Sequence, residues 1–356
     1  MPPAFGTTPR TRRWSRRFMF TIAIGALLGA SAPAAQAARA ACPTRHPARS
    51  TIYVPNVLAD TVSVVDGTSD TIVATIPVGH FPYTALVTRD GSQVFVADSS
   101  SDEVSIISTA TNKVTHTVPT DGGPFQLATD PRGAFVYVAN SAGTVSVIST
   151  ATDKVVHTIP IGGLPVTLAV NHADTKLYVT EMEDDMTVVN LPSDTVDTVI
   201  HMGSAWNYGL AISPDDTKVY VASHFSPNQA GAMAGVEVID ARSDTVTGQV
   251  HLGLYLNPFD MALSPDGRTA YIPESGSGTI SVLDTSTLTV TDTIHGFVNP
   301  MAITLSPAGR TAYVSDIGTN TVSVLNLADG TVTHTISGFS YPEYAGILTH
   351  HRFMHH

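Results

Sequence analysis

The chain has 356 residues, 43% of them hydrophobic and only 13% charged, which is ample material for a core and too little charge for a disordered chain. With 30 Asp and Glu against 18 Lys and Arg, a formal net charge of −12, it lacks the basic surface that a nucleic-acid backbone requires. A single cysteine, Cys42, excludes an internal disulfide.

Residues 1–37 read as a secretory signal peptide. Arg10, Arg12, Arg13, Arg16 and Arg17 form a basic region, Phe18 to Leu28 is apolar, and Ala35-Gln36-Ala37 offers a small-x-small cleavage site. The apolar stretch is short for a bilayer span, so no membrane span is expected in the mature protein. Ser15-Arg16-Arg17-Phe18-Met19-Phe20 also matches part of the twin-arginine export motif. The protein is thus expected to be exported, to the periplasm, the cell surface or beyond. Cleavage leaves 13 basic residues against 30 acidic ones, a net charge of −17. Residues 38–50 form a short linker, where Arg39 stands in the place that a lipid-anchor signal at Cys42 would keep apolar.

From residue 51 the chain repeats. Tyr53-Val54, Phe95-Val96, Tyr137-Val138, Tyr178-Val179, Tyr220-Val221, Tyr271-Ile272 and Tyr313-Val314 follow one another at spacings of 42, 42, 41, 42, 51 and 42 residues. Each is followed by a Thr-Val-Ser-Val-like run, then a third run such as Lys154 to Ile159, then a fourth such as Met301 to Leu305. These runs are rich in Val, Ile, Thr and Tyr and show no helical period, so each unit is read as four short strands. Ser264-Pro265-Asp266-Gly267, Ser306-Pro307-Ala308-Gly309 and Asp130-Pro131-Arg132-Gly133 supply tight turns, with proline presetting φ and glycine closing the turn. Four antiparallel strands per unit of about 42 residues predict an all-β fold, a seven-bladed β-propeller over residues 51–349. The first unit lacks an inner strand, and Tyr344-Ala345-Gly346-Ile347-Leu348 has the character of the missing one. That C-terminal strand is expected to pair beside Ile52-Tyr53-Val54, completing the first blade and leaving no open sheet edge. Residues 350–356 are a His-rich tail.

Tyr137-Val138-Ala139-Asn140, Thr144-Val145-Ser146-Val147-Ile148 and Thr152-Asp153-Lys154-Val155-Val156 resemble the repeat of the YVTN-type β-propeller proteins, and the resemblance extends over roughly residues 50 to 349. It implies an extracytoplasmic or cell-surface propeller with no defined reaction.

In such a ring the loops after each second strand and each outer strand open on one rim, the expected ligand site. Asn56, Asp98, Asn140, Glu181, Ser223, Glu274 and Asp316 end the aromatic strands and are expected near the mouth of the central channel. Such oxygen-rich side chains suit calcium or another divalent cation, with Asp98, Glu181, Glu274 and Asp316 as the metal candidates; they also suit local satisfaction of backbone donors. The loops into the inner strands are heavy in aromatics: Phe81 and Tyr83, Phe125, Trp206 and Tyr208, Tyr255 and Phe259, Phe297, and Tyr341 and Tyr344. Of these, Trp206, Tyr208 and Tyr255 are read as ligand contacts. An insertion at Ser226 to Ala234 lengthens one rim loop of the fifth repeat, with His224 at its base as the candidate proton shuttle. His201, His251 and His295 occupy equivalent outer positions a blade apart and cannot share an ion. No cofactor is identified. Apart from Gly276-Ser277-Gly278 no fragment of a serine-nucleophile motif is present, and no phosphate loop or zinc pattern is seen.

The expected function is therefore that of a monomeric, exported binding or scaffolding propeller that takes a small molecule, glycan or protein at its rim. The alternatives are a metal-assisted lyase, lactonase or isomerase using the channel-mouth carboxylates, and a propeller associated with a redox cofactor.

Overall fold

The computed structural model describes residues 50–182, 185–203, 206–224, 234–254 and 256–349. Residues 1–37, expected to be a leader, Cys42 and the other residues to 49, residues 225–233 of the fifth-repeat insertion, Tyr255 and the His-rich tail lie outside the described residues, as does the side chain of His224.

Among the described residues twenty-eight strands form seven four-stranded antiparallel sheets. Blade 3 is typical. Its inner strand Pro124–Thr129, second strand Phe135–Asn140, third strand Thr144–Ser149 and outer strand Lys154–Pro160 pair in chain order. The proline-containing turns lie between inner and second strands, where the Gly133, Gly267 and Gly309 amides donate to the carbonyls of Asp130, Ser264 and Ser306. The second and third strands are sealed within the sheet stack, whereas the outer strands alternate with solvent.

Blade 1 is composite. Gly346–Thr349 pairs antiparallel with Ser50–Asn56, placing Ile52 opposite Ile347 and Tyr53 opposite Gly346. The expected ring closure is therefore present; strand pairing begins one residue earlier than residue 51, at Ser50, and the last strand starts at Gly346, leaving Tyr344 and Ala345 in the lead-in.

The recurring aromatic residue explains the period. Each of the seven buried clusters joins two successive blades and contains one of Tyr53, Phe95, Tyr137, Tyr178, Tyr220, Tyr271 and Tyr313. Tyr313 of the last blade packs in the same cluster as Ile52, Val54 and Val65 of the first, so the stack closes on itself. A buried aromatic ring removes roughly 150–250 Å² from water, and one such ring per interface ties each blade to the next. The tips are used as well: the Tyr53 hydroxyl donates to Asn112 Oδ1 at 3.1 Å, in the third-to-outer turn of blade 2.

One irregularity recurs in the inner strands and shapes the centre of the ring. Pro82 pairs with Asp98 and Thr84 with Ala97, so Tyr83 is left out of the ladder. The same step passes over Val166, Tyr208 and Met301, and over Phe125 together with Gln126. In blade 6 the bridge of Pro258 to Glu274 precedes a two-residue strand Ala262–Leu263, leaving out Phe259, Asp260 and Met261. In blade 1 the bridge of Asn56 to Pro342 leaves out Glu343, Tyr344 and Ala345. A bulge bends the strand and re-aims the unpaired side chain. Every blade thus sets at least one unladdered residue at the head of its inner strand.

Candidate ligand site at the axial mouth

The outer-to-inner loops and the second-to-third loops meet on one rim. Val78 N donates to Asp60 O at 3.1 Å, Thr120 N to Asp102 O at 2.9 Å and Ile161 N to Gly143 O at 2.9 Å. Asp60 also takes the Phe81 amide and pairs with His80 Nδ1 at 2.7 Å.

Asn56, Asp98, Asn140, Glu181, Glu274 and Asp316 end their second strands, Ser223 stands one residue before the end of its own, and all seven lie beneath this rim and are buried. Six of them make the same contact, a hydrogen bond to a hydroxyl of the third strand in their own blade. Asn56 and Asn140 donate to Ser63 and Ser146 at 2.9 and 2.8 Å. Asp98 accepts from Ser105 at 2.5 Å, Glu181 from Thr187 at 2.5 Å, Glu274 from Ser281 at 2.5 Å and Asp316 from Ser323 at 2.7 Å. Several also hold the loop that leads into an inner strand: Ser340 N donates to Asn56 and Val298 N to Asp316. The loop comes so close that a Cβ on Gly163 would lie within the Glu181 carboxylate. Blade 5 exchanges the two partners, with Ser223 on the second strand and buried Glu237 where the other third strands carry Ser or Thr.

Six of these residues are clasps, each within its own blade, while the Ser223 hydroxyl of blade 5 has no hydrogen-bond partner. Asp98, Glu181, Glu274 and Asp316 are each bonded to a hydroxyl of their own blade. Burial pushes the Asp98 carboxyl up to about 7 and that of Asp316 up to about 6, and it raises Glu181 too. The desolvated carboxyl is poorly stabilised by a neutral hydroxyl.

The groups that do converge are the unladdered ones. Tyr83 stacks on Phe125 with ring centroids 3.8 Å apart, and Tyr344 lies 5.7 Å from Tyr83. Tyr208 meets Phe259 edge to face at 5.0 Å. The Tyr344 hydroxyl donates to the Phe259 carbonyl at 2.8 Å, and that of Thr84 donates to Gln126 Oε1 at 2.6 Å. Tyr83, Phe125, Val166, Tyr208, Phe259 and Met301 hold the equivalent unladdered position in six blades, and the seventh equivalent position is Glu343, which is 1% exposed. Its Oε2 has no hydrogen-bond partner. Burial, reinforced by the nearby charge of Asp260, holds the Glu343 pKa well above the carboxylate range.

Asp260, one residue on from the ring, is half-buried and lies in the broken inner strand of blade 6. Its Oδ2 accepts from the Ile303 amide of blade 7 at 2.9 Å, yet burial still pushes it up to about 7. Its backbone is held close against blade 5, where a Cβ on Gly209 would come within 2.6 Å of the Asp260 carbonyl carbon. Neither Asp260 nor Glu343 stood out in the sequence. The signal was present: at the position of Asp260 the other blades carry Thr84, Gln126, Thr167, Gly209, Ala302 and Tyr344, none of them ionised at neutral pH.

Of the other expected contacts, Tyr208 belongs to this cluster. Trp206 is half-buried at the head of the blade 5 inner strand, its backbone opposite that of His224. Tyr255 and the His224 side chain lie outside the described residues. His201, His251 and His295 are exposed on outer strands of three different blades, and His201 pairs with Asp185.

The search of curated proteins found none that matches this chain. Among solved structures, a protein described as hydrazine synthase of Kuenenia stuttgartiensis superposes with a TM-score of 0.73 at 20% identity, covering 78% of this chain and 92% of that one. A functionally unknown protein from Desulfotomaculum acetoxidans superposes with a TM-score of 0.73 at 16% identity, covering 84% and 99%. At these identities the likeness is one of fold alone. The family model that describes YNCE-like β-propellers matches residues 16–336, which is compatible with the YVTN-type repeat pattern, and the chain belongs to that YNCE-like β-propeller family.

Proposed function

We propose that this chain is an exported, non-catalytic binding protein whose ligand is a small molecule received at the axial mouth. The observation that carries this reading is the set of unladdered residues at one position of all seven blades: six aromatic or aliphatic side chains and one acid with an unpartnered buried oxygen, with Asp260 next in the chain to one of them. Packing alone gives no reason to put a carboxyl in that ring, because an isolated buried acid is costly. Apolar walls with a few convergent polar groups are the common character of small-molecule sites. A metal-assisted reaction is the second reading; the four carboxylates it would draw on are each bonded to a hydroxyl of their own blade. Export rests on the leader, with its five arginines, apolar stretch and small-residue cleavage site. No helix among the described residues is long and apolar enough to cross a membrane.

The test is a thermal-shift screen of small molecules against the mature protein and its Tyr83→Ala variant. Hits that stabilise the wild type and lose their effect in Tyr83→Ala support the axial site. Hits indifferent to Tyr83→Ala place the ligand elsewhere and overturn the reading.

A further inference from the structure

We propose that the ligand of the axial mouth is a compact organic cation, an alkylammonium or methylated ammonium group seated among the aromatic rings and neutralised by Asp260 and Glu343. This deepens the reading of the same site and rests on it. Three observations point to positive charge. Glu343 presents a buried carboxyl oxygen with no partner in the protein. Asp260 lies near enough to act on it electrostatically, and among the described residues no lysine or arginine acts on either acid; Asp260 is met by the backbone amides of Ile303 and Met261, and the groups acting on Glu343 and Tyr344 are acids and a phenol. The site thus brings together two acids and offers no cation of its own, within a chain of net charge −12.

The walls choose the kind of cation. A hard divalent ion takes six to eight oxygen ligands, whereas this mouth offers two carboxyl groups and the rings of Tyr83, Phe125, Tyr208, Phe259 and Tyr344. Ring faces attract a diffuse ammonium through their quadrupoles, most strongly where water is excluded. A neutral ligand would fill the same rings and leave the Glu343 oxygen unanswered.

Choline and its uncharged isostere 3,3-dimethyl-1-butanol separate charge from shape, and calcium chloride separates an organic from a metal cation. Isothermal titration at pH 8 uses the mature protein and the near-isosteric variants Asp260→Asn and Glu343→Gln, with melting temperatures checked. The proposal expects choline to bind at least about tenfold more tightly than the isostere, and each variant to lose about tenfold. The comparison of the two probes on the wild type stands even where a variant fails to fold. Equal affinity for choline and the isostere, both lost in Tyr83→Ala, overturns the cationic ligand while leaving the mouth as a binding site. Choline binding untouched by every variant is adventitious and overturns both readings. Calcium binding that excludes choline, or no choline binding at all, overturns the proposal.

Discussion

The Tyr344 hydroxyl donates to the main-chain carbonyl of Phe259 at 2.8 Å, tying the lead-in of the last strand to blade 6. Blade 7 lies between them in the ring, and there the residue equivalent to Tyr344 is Ala302, small enough to leave the path open. One side chain therefore links ring closure to the mouth. Tyr344→Phe keeps the ring and removes the bond; it is expected to cost about 1 kcal/mol, read from urea unfolding, with a weaker response to any ligand that contacts Phe259.

The clasps predict a pH effect. Asp98 sits in place of Asn56 and Asn140, its carboxyl buried against Ser105 and pushed up to about 7. Because the folded state holds that proton more tightly than the unfolded chain, its contribution to stability is full below pH 4 and is lost as pH rises through about 7. Asp98→Asn removes the titration and keeps the contact, since amides make it in two other blades. Its unfolding midpoint should exceed that of the wild type at pH 8, by more than any difference at pH 5.

Gly209 is predicted to be irreplaceable by alanine. A Cβ there meets Asp260 backbone at 2.6–2.8 Å, and backbone cannot step aside as a flexible side chain does. Gly209→Ala is expected to cost roughly 1–3 kcal/mol in denaturant unfolding. Gly248→Ala is the control: its nearest contact is an ordinary 3.4 Å, and its effect should be small.

Binding of choline should strengthen as pH rises from 5 to 8, because Asp260 ionises near 7 and a cation prefers the carboxylate. The groups acting on this pair and on Tyr344 are Asp260, Glu343 and Tyr208, and the phenols stay protonated over that range, their pKa values raised by burial. Isothermal titration at several pH values reads the slope; flat affinity would separate Asp260 from the ligand.

The blades, their number and the composite first sheet were legible because they follow from spacing: an aromatic residue at each blade interface and a final apolar run with nowhere else to pair. The site was only half legible. Tyr83, Tyr208 and Tyr344 could be named as rim aromatics, but nothing in period-two alternation announces that each inner strand skips a residue, and that skip aims Tyr83 and Glu343 at one place. The second-strand carboxylates could be listed by template position, yet whether Asp98 faces a shared opening or Ser105 of its own blade depends on the partner strand's register. Asp260 could have been found by aligning the residues that follow Pro82, Pro124, Pro165, Pro258, Pro300 and Pro342, but that its backbone abuts Gly209 and its carboxyl meets Ile303 depends on the packing of neighbouring blades.

Anomalous diffraction from crystals soaked in (2-bromoethyl)trimethylammonium locates the ligand directly. The axial reading predicts a bromine peak at the mouth of the ring, beside Tyr83, Phe259 and Tyr344 and within reach of Asp260. A peak confined to the depression of about 840 Å³ between blades 2 and 3, lined by Arg89, His116 and Arg132, or no peak at all, would contradict it.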